Sequence, residues 1–379
     1  MGIRRKSVMI VSGEASGDQH GRHLAAEILR MRPETILCGI GGESMKSAGV
    51  SILFNSARLS VVGITEVIGR LPELIKGFSI AREFIRRKRP DLLILIDFPD
   101  FNLRLAACAK KIGIPVLYYI SPQIWAWRSG RVRQIRRVVD HMAVILPFEE
   151  KFYRKQNVPA TFVGHPLMDV SERDAGETSN KAVVDTCTIG LLPGSRIGEI
   201  RRHLPVMLAA AKILLERHCR IEFMLPVAPG IDRGFIDDFL DAHPVGERIT
   251  VVEGSVDQVF SRASLIIAAS GTVTLEAAVA GVPMVVVYRV SKLSYWLGRA
   301  LIRVPYIALV NLIAGRKIVP ELIQDAASPE KIAACAGDMV ENPLKLAAMK
   351  KDLLFLGKRL GGPGASTSTA RIALSLMRS

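Results

Sequence analysis

Five consecutive apolar residues, Leu92–Ile96, lie between the cationic run Arg86-Arg87-Lys88-Arg89 and Asp97. Alternate side chains of a strand point to opposite faces, so a strand that is apolar throughout needs cover on both. Such a strand belongs in a sheet with helices on both sides. Shorter apolar runs at 8–11, 36–39, 116–120 and 142–146 repeat the signal, with helical periodicity at 19–31 and 103–112 between them. A second series follows at 188–192, 221–225, 249–252, 265–269 and 284–287, with a helix over 200–217. Between the series lies a polar, strand-poor stretch, 169–186, that reads as a linker.

The pattern predicts an α/β chain of two doubly wound, Rossmann-like domains facing a cleft, at 1–168 and 169–343. Residues 344–379 read as a helical tail containing a Gly361-Gly362-Pro363-Gly364 hinge and packing on the first domain or on a partner subunit. In open parallel sheets, ligands sit beyond the carboxyl ends of the strands. The chemistry-bearing loops fall there.

Two strand-to-helix turns in the second half are built for an anion. Pro193-Gly194-Ser195-Arg196 follows the first strand of its series, and Ser270-Gly271-Thr272 follows Leu265–Ala269, with Glu276 four residues further on. Glycine lets backbone N–H groups approach a phosphate, and a helix N-terminus adds partial positive charge. Arg196 offers a planar fork for phosphate, and Glu276 offers a carboxylate for ribose hydroxyls. Together the turns predict a site for a nucleoside-diphosphate donor.

In the first half, Ser12-Gly13-Glu14-Ala15-Ser16-Gly17-Asp18 ends the first strand. Its glycine spacing is not G-x-G-x-x-G, which disfavours a dehydrogenase. It reads either as a polar tight turn or as a substrate loop with Glu14, Ser16 and Asp18 toward the cleft. Asp97 ends the buried strand, where a carboxylate can take a proton from a sugar hydroxyl. Pro99 disfavours helix at Phe98, and Asp100 reads either as the N-cap of the next helix or as a substrate-loop residue beside Glu14, Ser16 and Asp18. The segment Ser121-Pro122-Gln123-Ile124-Trp125-Ala126-Trp127-Arg128 places two tryptophans toward either a sugar or a core. Neither the loops nor the seven histidines carry metal-ligand spacing, so no metal and no cofactor are predicted. His165 reads equally as structural or as a cleft residue.

The chain carries 51 Lys and Arg against 36 Asp and Glu, a net charge of +15, and so calls for an anionic partner. Arg128, Arg131, Arg133, Arg136 and Arg137 follow on a predicted helix, but no nucleic-acid motif accompanies them, and acidic lipid headgroups are an equal fit. Val61, Val62, Ile64, Val67, Ile68, Leu71, Leu74, Ile75 and Phe78 crowd into eighteen residues, with Pro72 expected to break any single helix. That stretch is either a buried helix pair or an exposed patch for acyl chains and membrane. The five cysteines are scattered, which reads as reduced thiols. The start lacks an apolar core long enough for a signal peptide, and the apolar stretch 263–288 splits into strand, helix and strand, so no transmembrane helix is expected.

The motifs SGEASGD (12–18), IDFPDFN (96–102), SPQIWAWR (121–128), LPFE (146–149), VGHP (163–166), LLPGSR (191–196), ASGTVTLE (269–276) and VPYIALVNLIAGRKIVPELIQ (304–324) occur in order over nearly the whole chain. In this the chain resembles the lipid-A-disaccharide synthase family of bacterial glycosyltransferases. The resemblance implies a glycosyltransferase B fold and a metal-independent, inverting transfer from UDP-2,3-diacylglucosamine to 2,3-diacylglucosamine 1-phosphate. It implies a cytoplasmic enzyme held peripherally at the inner membrane through residues matching 61–78, and a homodimer made through the C-terminal segment. Joined to the reading above, it makes Asp97 the general base and Arg196, Gly194 and Ser195 the diphosphate site. Ser270, Gly271, Thr272 and Glu276 complete the donor site, Asn311 is an active-site asparagine, and Arg316 is a candidate for the acceptor phosphate. The readings that compete are a UDP-N-acetylglucosamine 2-epimerase, another UDP-sugar transferase, and a non-catalytic basic protein binding membrane or RNA.

Overall fold

The computed structural model describes residues 5–59, 64–127, 129–169, 187–218, 220–291, 295–296, 298 and 304–377, with the backbone alone at 64–70, 127 and 129. The chain divides into two compact units, residues 1–175 with 360–379, and residues 176–359. The expected linker lies almost wholly outside the described residues.

The first unit holds seven strands: β1 (Ser7–Ser12), β2 (Ile36–Gly41), β3 (Ser51–Asn55), β4 (Leu92–Ile96), β5 (Val116–Tyr119), β6 (His141–Val144) and β7 (Ala160–Phe162). They form one parallel sheet in the order β3-β2-β1-β4-β5-β6-β7. Its two faces are sorted by alternation. Met9, Val11, Leu93 and Leu95 pack into one core, and Val8, Ile10, Leu92, Ile94 and Ile96 pack into the other. All five residues of β4 are fully buried, so truncating Leu93 to Ala should cost about 2–5 kcal/mol.

Helix Ile64–Lys88 runs unbroken with Pro72 inside it, contrary to the sequence expectation. Proline removes one N–H donor, and a helix of this length continues around the lost bond. Phe78 on that helix meets Phe101 edge-on at 5.5 Å.

The segment expected as one C-terminal tail divides instead. Helix Pro343–Arg359 belongs to the second unit and packs on helix Val273–Val279, whereas helix Ala365–Leu376 belongs to the first unit and packs on helix Ala15–Met31. The reason lies in capping. The Asp169 carboxylate accepts from the backbone N–H groups of Gly364, Ala365 and Ser366 at 2.6, 3.1 and 3.3 Å, which ties the start of the last helix to the first unit.

The second unit contains β8 (Cys187–Leu192), β9 (Ile221–Val227), β10 (Ile249–Glu253), β11 (Leu265–Ala269), β12 (Met284–Tyr288) and β13 (Glu321–Ile323), parallel in the order β10-β9-β8-β11-β12-β13. The order reverses between β8 and β11, where Leu191 pairs with Ile267 and Leu192 with Ala268. That reversal is the topological switch point at which such sheets bind nucleotides.

Candidate active site

At the switch point the two glycine turns stand side by side. They line one cavity of 510 Å³, which also takes in residues 226–229 at the end of β9 and just beyond it, residues 254–256 after β10, and Glu199 and Glu276. Gly194 has φ +117, a left-handed conformation that favours glycine, and it turns the chain from β8 into helix Ile197–Arg217. A Cβ added at Gly271 would meet nothing within 4 Å, so that glycine borders open space. Burial, followed by the charge of Asp257, raises the pKa of Glu276. The turns predicted from sequence are thus brought together within one unit.

His203 stiffens the first turn, and sequence reasoning missed it. Its ring is buried, Nε2 accepts from the Arg289 N–H at 3.0 Å, and Nδ1 lies 3.0 Å from the Pro193 carbonyl. Nδ1 therefore carries the proton and donates to Pro193. Burial lowers the pKa of the ring and favours this neutral form.

Asn311 is placed differently from the expectation that it meets substrate. It is fully buried; its amide donates to the Val319 carbonyl (2.9 Å) and Glu321 Oε1 (2.7 Å), while its oxygen accepts from the N–H groups of Ile318 (2.7 Å) and Val319 (3.0 Å). No hydrogen-bonding capacity remains for a ligand. Glu321 also accepts from the N–H groups of Ile307 and Ala308 at 3.0 and 3.1 Å, and the Ser270 hydroxyl reaches the Ile307 carbonyl at 3.4 Å. Asn311 is a staple beneath the second turn. Arg316 is exposed and paired with Asp352 at 2.7 Å.

In the first unit, Asp97 follows β4 with φ +44, and Phe98 follows it at φ +50. The Phe98 ring packs where a side chain on Gly13 would stand. Burial, then the charge of Glu14, pushes the Asp97 carboxyl up to about 6, with a Phe98 backbone hydrogen bond opposing. A base with that value is poised near neutral pH.

Glu14 and Ser16 are exposed in the first turn of the loop and helix after β1. Asp18 is buried, and its carboxylate accepts from the N–H groups of Gly42 (2.6 Å), Ser44 (3.0 Å) and Met45 (3.2 Å). It caps helix Glu43–Ser47 and does not face a substrate. Asp100 does not cap its helix; Phe98 is the N-cap residue, Pro99 opens the helix, and Asp100 pairs with Arg131. His165 is buried, its backbone N–H donating to the Leu360 carbonyl and its ring Nδ1 accepting from the Leu167 N–H, which is a structural role. Burial takes its pKa down to about 4.

Trp125 is held by the buried Glu149, which accepts from its Nε1 at 3.0 Å, and stands edge-on to Phe148. Burial pushes the Glu149 carboxyl up to about 7. The Trp127 side chain lies outside the described residues. In the apolar stretch, Val61 and Val62, and the side chains of Ile64, Val67 and Ile68, likewise lie outside them. Leu71 and Ile75 are 51% and 61% exposed, while Leu74 and Phe78 pack against the core. No described helix is long and apolar enough to cross a membrane.

A family model described as lipid-A-disaccharide synthetase matches residues 8–374. The lipid-A-disaccharide synthase of Syntrophus aciditrophicus is 47% identical over 99% of each chain. That of Geobacter sulfurreducens is 46% identical over 98% of this chain and 97% of its own. Among solved structures, the UDP-GlcNAc 2-epimerase of Neisseria meningitidis bound to UDP-GlcNAc superposes with a TM-score of 0.61 at 13% identity, covering 98% of this chain and all of that one. The glycotransferase of kitacinnamycin gives a TM-score of 0.62 at 13% identity, covering 99% of this chain and all of its own. At such identities the structures share the fold alone.

Proposed function

The chain belongs to the lipid-A-disaccharide synthase family, and from that premise we propose how its residues divide the work of glycosyl transfer. It is a glycosyltransferase of lipid A assembly. The donor in this reading is UDP-2,3-diacylglucosamine and the acceptor is 2,3-diacylglucosamine 1-phosphate. The observation that carries the reading is the single cavity lined by both glycine turns, Arg196 and Glu276.

The Asp97 carboxylate takes the proton of the acceptor 6-hydroxyl as its oxygen attacks the anomeric carbon. The bond from that carbon to the diphosphate oxygen breaks, and its electron pair leaves with UDP. Attack opposite the leaving group gives the β(1→6) disaccharide. Negative charge grows on the departing diphosphate, where the Arg196 guanidinium and the amides of Gly194 and Ser195 stabilise it, with the N-terminus of helix Ile197–Arg217 behind them. Gly271 and Thr272 supply the second phosphate wall, and Glu276 accepts from the ribose hydroxyls. The scheme needs no metal to carry that charge.

Acyl substrates require a lipid surface. Exposed Leu71 and Ile75 support membrane docking of helix Ile64–Lys88, with Arg86, Arg87 and Lys88 exposed at its end to meet acidic headgroups. The proposed enzyme is cytoplasmic and peripheral. A homodimer made by exchange of the C-terminal segment would reuse the contact between helices Ala365–Leu376 and Ala15–Met31.

The test is a transfer assay that follows UDP release and disaccharide formation with acylated and non-acylated UDP-glucosamine donors. Disaccharide from the diacyl donor alone is the expected result. Epimerisation of UDP-N-acetylglucosamine without transfer would contradict the reading.

A further inference from the structure

The donors assigned to the diphosphate are not idle. The Ser195 backbone N–H donates to Glu199 Oε2 at 3.1 Å, and Arg196 Nη1 donates to Glu199 Oε1 at 3.1 Å. The same carboxylate lies over the glycine of the turn: a Cβ added at Gly194 would stand 2.5 Å from Glu199 Oε2. One turn into helix Ile197–Arg217, this side chain therefore sits on the amide, the guanidinium and the glycine that make the turn an anion cradle.

We propose that Glu199 is a built-in substitute for the diphosphate, a specificity-determining side chain that must swing off the cradle for a UDP-sugar to bind. The proposal rests on the reading of the cavity as the UDP site. The Ser195 N–H has one proton to give, so the carboxylate and a phosphate oxygen compete for it. Two anions also cannot share the Arg196 fork without mutual repulsion. Swinging away is cheap, because the Glu199 side chain is 32% exposed and borders a 510 Å³ cavity, so its charge stays in water. While it sits in place, it satisfies an amide that would otherwise lack a partner.

The consequence is selectivity. A ligand that brings a diphosphate replaces what it displaces, whereas uridine alone leaves Glu199 where it is. Affinity for UDP is lowered by the fraction of molecules whose cradle Glu199 holds. The opposite role has the opposite sign: if Glu199 served to aim Arg196 at the phosphate, its loss would weaken UDP binding.

Calorimetric titration of the full chain with UDP and with uridine separates these, using wild type and Glu199→Gln, which keeps length and one acceptor but removes the charge. The expected result is UDP bound about three- to tenfold more tightly by the variant, with uridine affinity unchanged. Thermal unfolding of each protein without nucleotide verifies the fold, and Glu199→Ala decides by the same comparison should the glutamine variant not fold. Weaker or unchanged UDP binding by a folded variant overturns the proposal, as does an equal gain for uridine. Failure of wild type to bind UDP at all overturns the reading of the cavity itself, a separate and recognisable outcome.

Discussion

The Tyr118 hydroxyl donates to the Asp97 carbonyl at 2.6 Å, and the Asn102 amide donates to the same oxygen at 2.7 Å. Both side chains are fully buried. They hold a residue whose backbone, like that of Phe98 after it, lies in the left-handed region at a cost of order 1–3 kcal/mol each. These two bonds fix the backbone that carries the Asp97 carboxylate at the end of β4. Tyr118→Phe should therefore lower kcat about 10- to 100-fold while UDP affinity holds, measured by steady-state kinetics alongside a UDP titration. Equal losses in kcat and UDP binding would contradict a role confined to Asp97.

Activity should depend on pH through the same carboxyl. With its value raised to about 6, Asp97 is protonated and inactive below that pH, so kcat/KM should rise through pH 6 and level off above it. The Glu14 charge is the second cause of the rise. Glu14→Gln should move the acid limb to lower pH, and a limb that stays in place would contradict the coupling.

Asn311→Ala should act on the fold before the chemistry. It would strand the Ile318 and Val319 N–H groups and one bond to Glu321 in the interior, which should cost about 2–4 kcal/mol. Denaturant unfolding measures that loss. A variant with unchanged stability and no turnover would return Asn311 to direct catalysis.

Leu71→Ser with Ile75→Ser should leave stability within about 0.5 kcal/mol, since both side chains are more than half exposed. Binding to vesicles rich in acidic phospholipid should fall sharply in a sedimentation assay. Retained binding would move the membrane contact elsewhere.

The parts of this fold legible in the sequence were those enforced by burial on both faces. β4 and β11 are apolar at every position and could only be central strands. The glycine turns after β8 and β11 were legible too, because a switch point demands just such turns. The edge strands β3, β7 and β13 were not, since strands of five, three and three residues with partly exposed positions carry a weak pattern. Polar residues were least legible of all. Asp18 and Asn311 have the chemistry of site residues, yet both spend it on backbone amides of the chain itself, Asp18 on Gly42 and Asn311 on Ile318. Sequence cannot say whether a carboxylate or amide meets a ligand or the chain's own backbone. Glu199 reverses the case: nothing in the sequence singles it out, and only its seat over Gly194 gives it the role proposed above.

The most direct measurement pairs turnover with UDP affinity for Asp97→Asn, an isosteric change that removes the base and leaves the second unit untouched. Transfer should fall by about 10²- to 10⁴-fold while the dissociation constant for UDP stays at the wild-type value. Near-normal transfer by this variant would contradict Asp97 as the group that takes the proton.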